Sequence, residues 1–63
     1  MLFEKIKTLA EKKGMTIREV ERQAGLENGA IGKWRTSTPR FDNIVSVATV
    51  LEVSVNEFAE AVK

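Results

Sequence analysis

The sequence predicts an all-α fold, a compact domain of five short helices. Apolar residues recur at intervals of three and four along most of the 63 residues, which is the period of a helix face turned towards a core. No segment shows the strict alternation of a β-strand. Polar residues suited to helix starts and glycines suited to helix ends divide the pattern into short segments. A chain of this length forms one domain at most, so we expect residues 1–63 to be a single domain.

The composition excludes several classes of protein. With no cysteine and no histidine, the chain cannot form a disulfide framework, a Cys/His zinc site or a His-based acid/base pair. Its longest apolar run is too short for a membrane span or a signal-peptide core. No nucleophile, base and orienting group stand at a recognisable spacing. We therefore expect a soluble, cytoplasmic protein that is not an enzyme, with no metal, no cofactor and no evident small-molecule ligand.

Charge is distributed unevenly along the chain. The net charge is only +1, but residues 12–43 carry seven basic and four acidic side chains, while residues 44–63 carry one basic and three acidic ones. The basic first part is compatible with a nucleic-acid partner. Ordinary solvated helix faces explain the same distribution.

The first helix is predicted from about Leu2 to Lys13. Its inward face is marked by apolar residues at helical spacing: Phe3, Ile6, Leu9 and Ala10. Gly14 follows a pair of lysines, and glycine is common just beyond a helix C-terminus.

The second helix has the best-defined start in the sequence. Thr16 and Glu19 form a capping box, in which the threonine hydroxyl accepts an amide of the first turn and the glutamate accepts the Thr16 amide. Met15 and Val20 occupy the two positions of a hydrophobic staple around it. Gly25 ends this helix, because glycine readily adopts the left-handed conformation that closes one.

A third helix is predicted from about Asn28 to Arg35, with Ile31 and Trp34 as its buried edge. It follows the second helix through a tight glycine turn. Two short helices joined in this way have the layout of a helix-turn-helix, here over about residues 16–35.

Two further helices complete the prediction. Residues 36–39 form a loop that holds the only proline of the chain, and the fourth helix should cover about residues 40–52. The fifth helix should cover about residues 55–62. Its start repeats the pattern of the second helix, with residues 54–57 as another capping box.

Two segments of the chain carry a family resemblance. The run TIREVERQAGLENGAIGKW and, after the loop, the run FDNIVSVATVLEVSVNEFA resemble the DNA-binding domain of the phage repressor and Cro-like (XRE-type) helix-turn-helix family, which implies a lambda repressor-like fold. The resemblance covers nearly the whole chain. It rests on the joint spacing of an apolar, glycine and proline framework: Val20, Gly25, Ile31, Trp34, Pro39, Ala48, Leu51 and Val53.

The resemblance implies that the third helix lies in the major groove of double-stranded DNA, with its first turn at the base edges. The residues then implied in base readout are Glu27, Asn28, Gly29, Gly32 and Lys33. Asparagine can pair with adenine through two hydrogen bonds, and lysine can donate to guanine O6 and N7. The two glycines would let the backbone approach the bases closely. Glu27 either accepts a hydrogen bond from cytosine N4 or repels phosphate and so weakens non-specific binding.

Phosphate contacts are implied at the start of the second helix, where the helix dipole favours an anion, and around the loop after the third helix. The residues concerned are Thr16, Ile17, Arg18, Arg35, Thr36, Ser37, Thr38, Arg40 and Asn43. The short hydroxyls of the loop can bond phosphate oxygens or simply cap turns.

Four positions depart from the family pattern. Ile17 stands where many members carry a glutamine, which leaves only a backbone amide for phosphate. Glu21 replaces the usual alanine, which argues against tight helix-to-helix contact there. Arg35 replaces a glutamate that pairs with an arginine of the first helix in some members, so Arg35 either reaches DNA or pairs with a nearby carboxylate. Glu52 replaces the common glycine before the fifth helix, so that turn is either strained or closed differently.

The resemblance implies a sequence-specific transcriptional regulator, most simply a repressor that binds a palindromic operator as a homodimer, at least on DNA. It would act in the cytoplasm of a bacterium or of a phage-infected bacterial cell. Val55, Phe58 and Val62 are candidates for the dimer interface, although Phe58 and Val62 equally well close the core. The alternative is a protein-interaction module, antitoxin-like or anti-repressor, that binds little DNA. The weak net charge and the acids Glu21 and Glu27 favour it slightly.

Overall fold

The computed structural model describes residues 2–59, whose regular secondary structure is entirely helical, with no strand. They contain four α-helices and one 3-10 helix, in the order α1 (Leu2–Lys12), α2 (Ile17–Gln23), the 3-10 helix (Ile31–Arg35), α3 (Phe41–Leu51) and α4 (Asn56–Ala59). The predicted all-α class is confirmed, but residues 2–59 form four α-helices rather than the five helices expected, with a 3-10 helix in the third place. Within this range no helix has the length and the apolar character needed to cross a membrane.

The predicted third helix is wrong in its start and in its type. Residues 28–30 form a turn, and the five residues after them form a 3-10 helix rather than an α-helix. The reason is Gly29, whose φ of +90° lies outside the range of a right-handed helix. The amide of Ala30 donates to the carbonyl of Glu27 at 3.0 Å. This bond closes a β-turn in which Gly29 holds the position where a type II turn requires a positive φ.

An apolar core lies between the helices. α1 packs against α2 and the 3-10 helix, and α2 packs against α3. The buried apolar side chains among the described residues are Leu2, Phe3, Ile6, Ala10, Val20, Ile31, Trp34, Ile44, Val47, Ala48, Leu51 and Phe58. Trp34 is thus a packed anchor of the 3-10 helix, as its spacing predicted.

The helices α1, α2 and α3 are each closed by a left-handed residue. Gly14 and Gly25 have φ values of +72° and +76°, and Glu52 has a φ of +60°. In each case the next residue donates its amide to the carbonyl five positions back, at 2.8 to 3.0 Å, which is the longer bond of a Schellman motif. Of the two outcomes expected at Glu52, the structure shows the strained one, since a left-handed conformation is unfavourable for a residue with a Cβ atom.

The last two helices differ slightly from their predicted ranges. α3 begins and ends one residue inside its range, and α4 begins one residue late. The second capping box is wrong: the hydroxyl of Ser54 accepts the amide of Asn56 at 3.1 Å, and the carboxylate of Glu57 lies 3.5 Å from the Nζ atom of Lys5 on α1. Glu57 is therefore directed towards a charged partner rather than back to the start of its own helix. Residues 60–62 of the predicted fifth helix lie outside the described residues.

Candidate nucleic-acid interface

The start of α2 is held by the predicted capping box. The hydroxyl oxygen of Thr16 accepts the amide of Glu19 at 3.1 Å, and the Oε1 atom of Glu19 accepts the amide of Thr16 at 2.8 Å. Because the Thr16 hydroxyl acts here as an acceptor, its own proton is still available for an outside acceptor such as a phosphate oxygen. The next two amides, of Ile17 and Arg18, have no acceptor within the helix.

The segment between α2 and the end of the 3-10 helix turns a mixed set of residues outward. We call residues 27–33 the reading segment. The implied base readers Glu27, Asn28, Gly29 and Lys33 are exposed, and Gly32 is half-buried. The side chains of Ile31 and Trp34 are buried in the core. All five implied readers thus lie within reach of solvent on a segment that the core holds in place.

A buried acid supports the reading segment, and sequence reasoning missed its role. Glu21 on α2 is only 3% exposed. Its Oε1 atom accepts the amide of Gly29 at 3.0 Å, and its Oε2 atom accepts the amide of Ile31 at 2.9 Å. The expectation that this glutamate disturbs the contact between the two helices is therefore wrong, because its carboxylate joins them. The only signal for this role was an acid at a position that faces the next helix.

The loop hydroxyls cap the end of the 3-10 helix. The hydroxyl of Ser37 donates to the carbonyl of Lys33 at 2.9 Å, and the hydroxyl of Thr36 lies 3.5 Å from the same oxygen. Of the two roles expected for these hydroxyls, capping is the one present in the free protein. A phosphate contact would require each proton to turn away from the Lys33 carbonyl. Thr38 is exposed in the same loop.

The guanidinium of Arg35 contacts an aromatic ring of α1. Its guanidinium lies over the ring of Phe3, 4.1 Å from the ring centroid. Among residues 2–59 no carboxylate lies within ion-pair distance of it. Arg35 is exposed, and its guanidinium carries five N–H donors, some of which can serve a further acceptor.

The remaining implied phosphate contacts lie at the start of α3. Arg40 is exposed, and its Nε atom is 3.8 Å from the Oδ1 atom of Asp42. The same Oδ1 atom accepts the amide of Asn43 at 2.9 Å. The carboxylate of Asp42 therefore lies between two residues that were expected to bind phosphate.

The implied dimer residues are divided between the core and the surface. Phe58 is only 1% exposed and belongs to the core, and it also lines the groove beside Val55. Val55 is half-buried and lines an open apolar groove of about 260 Å³, at whose edge Phe41 is 69% exposed. Val62 lies outside the described residues.

Comparison with known proteins agrees with this geometry. The family described as the Cro/C1-type HTH DNA-binding domain matches the chain over residues 5–63. No curated protein and no solved structure is significantly similar to the chain. The family match covers the capping box, the glycine turn, the reading segment and the helices that enclose the core. The chain therefore belongs to the family of Cro/C1-type helix-turn-helix DNA-binding domains.

Proposed function

We propose that the protein is a sequence-specific transcriptional regulator, a repressor that reads the major groove of double-stranded DNA through its reading segment. The observation that carries the proposal is the division of this segment into two faces. Ile31 is buried, as is Trp34 directly after the segment. Asn28 and Lys33 are exposed and offer the amide and ammonium groups that recognise adenine and guanine. Residues 1–63 would act as one DNA-binding domain.

The β-turn at the start of the reading segment defines how its members would approach the bases. Asn28 belongs to the turn and Lys33 to the 3-10 helix, so the two side chains would reach different base pairs. Gly29 and Gly32 carry no side chains, which allows their backbone to lie close to base edges. Glu27 would either accept from cytosine N4 or repel phosphate and so reduce non-specific binding.

Phosphate contacts are proposed on both sides of the reading segment. On α2, Thr16 would donate its hydroxyl proton, Ile17 its amide and Arg18 its guanidinium. After the reading segment, the proposed contacts come from Arg35, Thr36, Ser37, Thr38, Arg40 and Asn43. These contacts orient the protein on DNA and carry no sequence information themselves.

We propose that two copies bind a palindromic operator. One reading segment contacts few base pairs, and two copies on half-sites about one helical turn apart would double the specific interface. Val55 and the apolar groove beside it are the proposed face for the second copy on DNA. Binding of one copy at a single half-site, with no second copy joining at micromolar protein, would contradict the dimer.

Selection of binding sites from random duplex DNA by the full chain tests the regulator proposal. We expect an enriched palindrome, and an affinity that falls steeply as the salt concentration rises, because phosphate binding releases counterions from DNA. If no sequence is enriched and no binding to duplex DNA is measurable at low salt, the proposal fails.

A protein-interaction module with the same fold is the second candidate. It is favoured by the exposed carboxylate of Glu27 within the reading segment and by a net charge of only +1, since both reduce attraction to phosphate. The same selection distinguishes the candidates. A module of this kind would bind duplex DNA weakly at every salt concentration and enrich no site.

A further inference from the structure

We propose that Glu21 is a positioning residue for base readout: its carboxylate holds the reading segment in the conformation that presents Asn28 to DNA. Glu21 is the buried charged side chain of residues 2–59, and none of its polar atoms lacks a partner. The part of this inference that concerns DNA binding rests on the proposed function. The contact itself can be tested in the free protein.

The reading segment depends on an acceptor outside itself. An α-helix would bond the amides of Gly29 and Ile31 to carbonyls four residues earlier, but the positive φ of Gly29 interrupts that pattern. The turn supplies one bond of its own, from the amide of Ala30 to the carbonyl of Glu27. The amides on either side of Ala30 donate to Glu21 instead, at 3.0 and 2.9 Å.

The two bonds reach across eight and ten positions of the chain, so they fix the turn relative to α2. Asn28 directly precedes one of the two bonded amides, and it lines the same open groove as Glu21, Arg18 and Arg22. Holding the Gly29 amide therefore restricts where the Asn28 side chain can go. The second bonded amide belongs to Ile31, the first residue of the 3-10 helix. Lys33 follows two residues later in the same helix.

A carboxylate suits this role better than an amide side chain. An ionised carboxylate has two acceptor oxygens and can accept both amides, with charge-assisted bonds. In Glu21→Gln one oxygen remains, and the NH₂ group meets a backbone N–H that also donates. One of the two anchored amides then loses its acceptor, while the size of the side chain stays the same.

The phosphate contacts proposed at the start of α2 do not depend on this anchor. The proposed contacts of Thr16 and Arg18 lie at the start of α2, where the capping box holds the backbone independently of Glu21. Loss of the anchor should thus weaken base readout and leave phosphate binding in place. Removing one negative charge would, if anything, strengthen non-specific binding.

The DNA arm compares the full-length wild type with Glu21→Gln at one salt concentration and at a temperature where both are folded. Dissociation constants are measured for the operator that the wild type enriches and for a shuffled duplex of the same length and base composition. We expect the operator affinity of Glu21→Gln to fall about tenfold, with the shuffled duplex bound as tightly as before or slightly more tightly. An equal loss on both duplexes, or no loss on the operator, overturns the proposal.

A destabilised core serves as the matched control. Val47→Ala removes volume from a fully buried position on α3 without touching the Glu21 bonds. It should lower thermal stability, yet the ratio of operator to shuffled affinity should remain that of the wild type. If Val47→Ala changes that ratio as much as Glu21→Gln does, the effect is one of stability and the positioning role is excluded.

A second experiment measures amide hydrogen exchange in the free protein, without DNA. Amide hydrogen exchange should show Gly29 and Ile31 protected in the wild type and less protected in Glu21→Gln, with the core amide of Val47 unchanged. Glu21→Asp, which keeps the charge but shortens the side chain, should release at least one of the two amides. If neither variant changes hydrogen exchange at the two amides, Glu21 does not hold the reading segment, and this conclusion is independent of DNA binding. Failure to enrich any operator would instead contradict the proposed function and leave this result standing.

Discussion

The guanidinium of Arg35 lies 4.1 Å from the centroid of the Phe3 ring. Phe3 is a core residue of α1, 8% exposed, and Arg35 is the last residue of the 3-10 helix. The contact therefore joins the end of the 3-10 helix to α1. The face of the ring attracts the cation electrostatically.

A double-mutant cycle with Phe3→Leu and Arg35→Gln should measure this contact. We expect a coupling free energy of roughly 0.5 to 1 kcal/mol from urea unfolding, because the ring face attracts the cation at a partly exposed site. A control cycle that pairs Phe3→Leu with Arg18→Gln, on α2, should give additive effects. Additivity in the Arg35 cycle as well would show that the stacking contributes nothing.

The two glycines of the reading segment should respond oppositely to alanine. Gly29→Ala places a Cβ atom on a residue with a φ of +90° and should lower the free energy of unfolding by about 1 to 2 kcal/mol. Gly32 has no such φ, and a Cβ atom there would meet open space. Gly32→Ala should therefore leave stability unchanged or raise it by up to about 1 kcal/mol.

The same Gly32→Ala variant tests the close approach to DNA. Its operator affinity should fall although the protein is no less stable, because the added methyl group would separate the backbone from the base edges. Thermal unfolding and operator binding measured on the same sample separate the two effects. A Gly32→Ala protein that binds its operator as tightly as the wild type would contradict the proposed backbone approach.

Asn28→Ala and Lys33→Ala should each relax the preferred base at one operator position. Each loss should amount to about 1 to 3 kcal/mol of discrimination, with little change in thermal stability because both side chains are exposed. Repeating the site selection with each variant measures the effect. Lys7→Ala, an exposed change on α1, is the control and should preserve the selected sequence. Uniform weakening across all sequences would class the residue as a phosphate contact.

Glu52→Gly should stabilise the protein by about 0.5 to 1 kcal/mol, the relief of the left-handed strain less the entropy that glycine adds to the unfolded chain. The variant also loses the contact of Glu52 with the Nζ atom of Lys13, at 3.1 Å, but the glutamate side chain is 77% exposed and such pairs contribute little. Glu52→Ala, which loses the same contact and keeps the strained φ, is the matched control. Equal unfolding free energies for the two variants would exclude strain at this turn.

Local chemistry made much of the fold predictable. The capping box at Thr16 and the closing residue Gly25 depend on neighbours within a few positions, so both could be identified before any tertiary structure was known. Gly29 was misinterpreted because a glycine inside an apolar period of three and four gives no sign that its φ is positive. The turn is identified by the hydrogen bond that the Ala30 amide donates to the Glu27 carbonyl.

The parts of the site that could not be predicted depend on long-range contacts. The carboxylate of Glu21 accepts amides eight and ten positions away, and the guanidinium of Arg35 lies over the ring of Phe3, 32 positions earlier in the chain. Neither the sequence period nor any short motif encodes those distances. For that reason an acid that suggested poor packing proved to be the residue that joins the two halves of the helix-turn-helix.

The β-turn at Gly29 has a consequence for how new binding specificities can arise on this scaffold. The residues that fix the turn, Gly29 and the buried Glu21, are different from the exposed ones at positions 27, 28 and 33. Replacing those three side chains should leave the anchoring bonds intact, so substitutions there need no compensating change in the core. Under the proposed function, the same scaffold can be adapted to different operators by substitutions at these three positions alone.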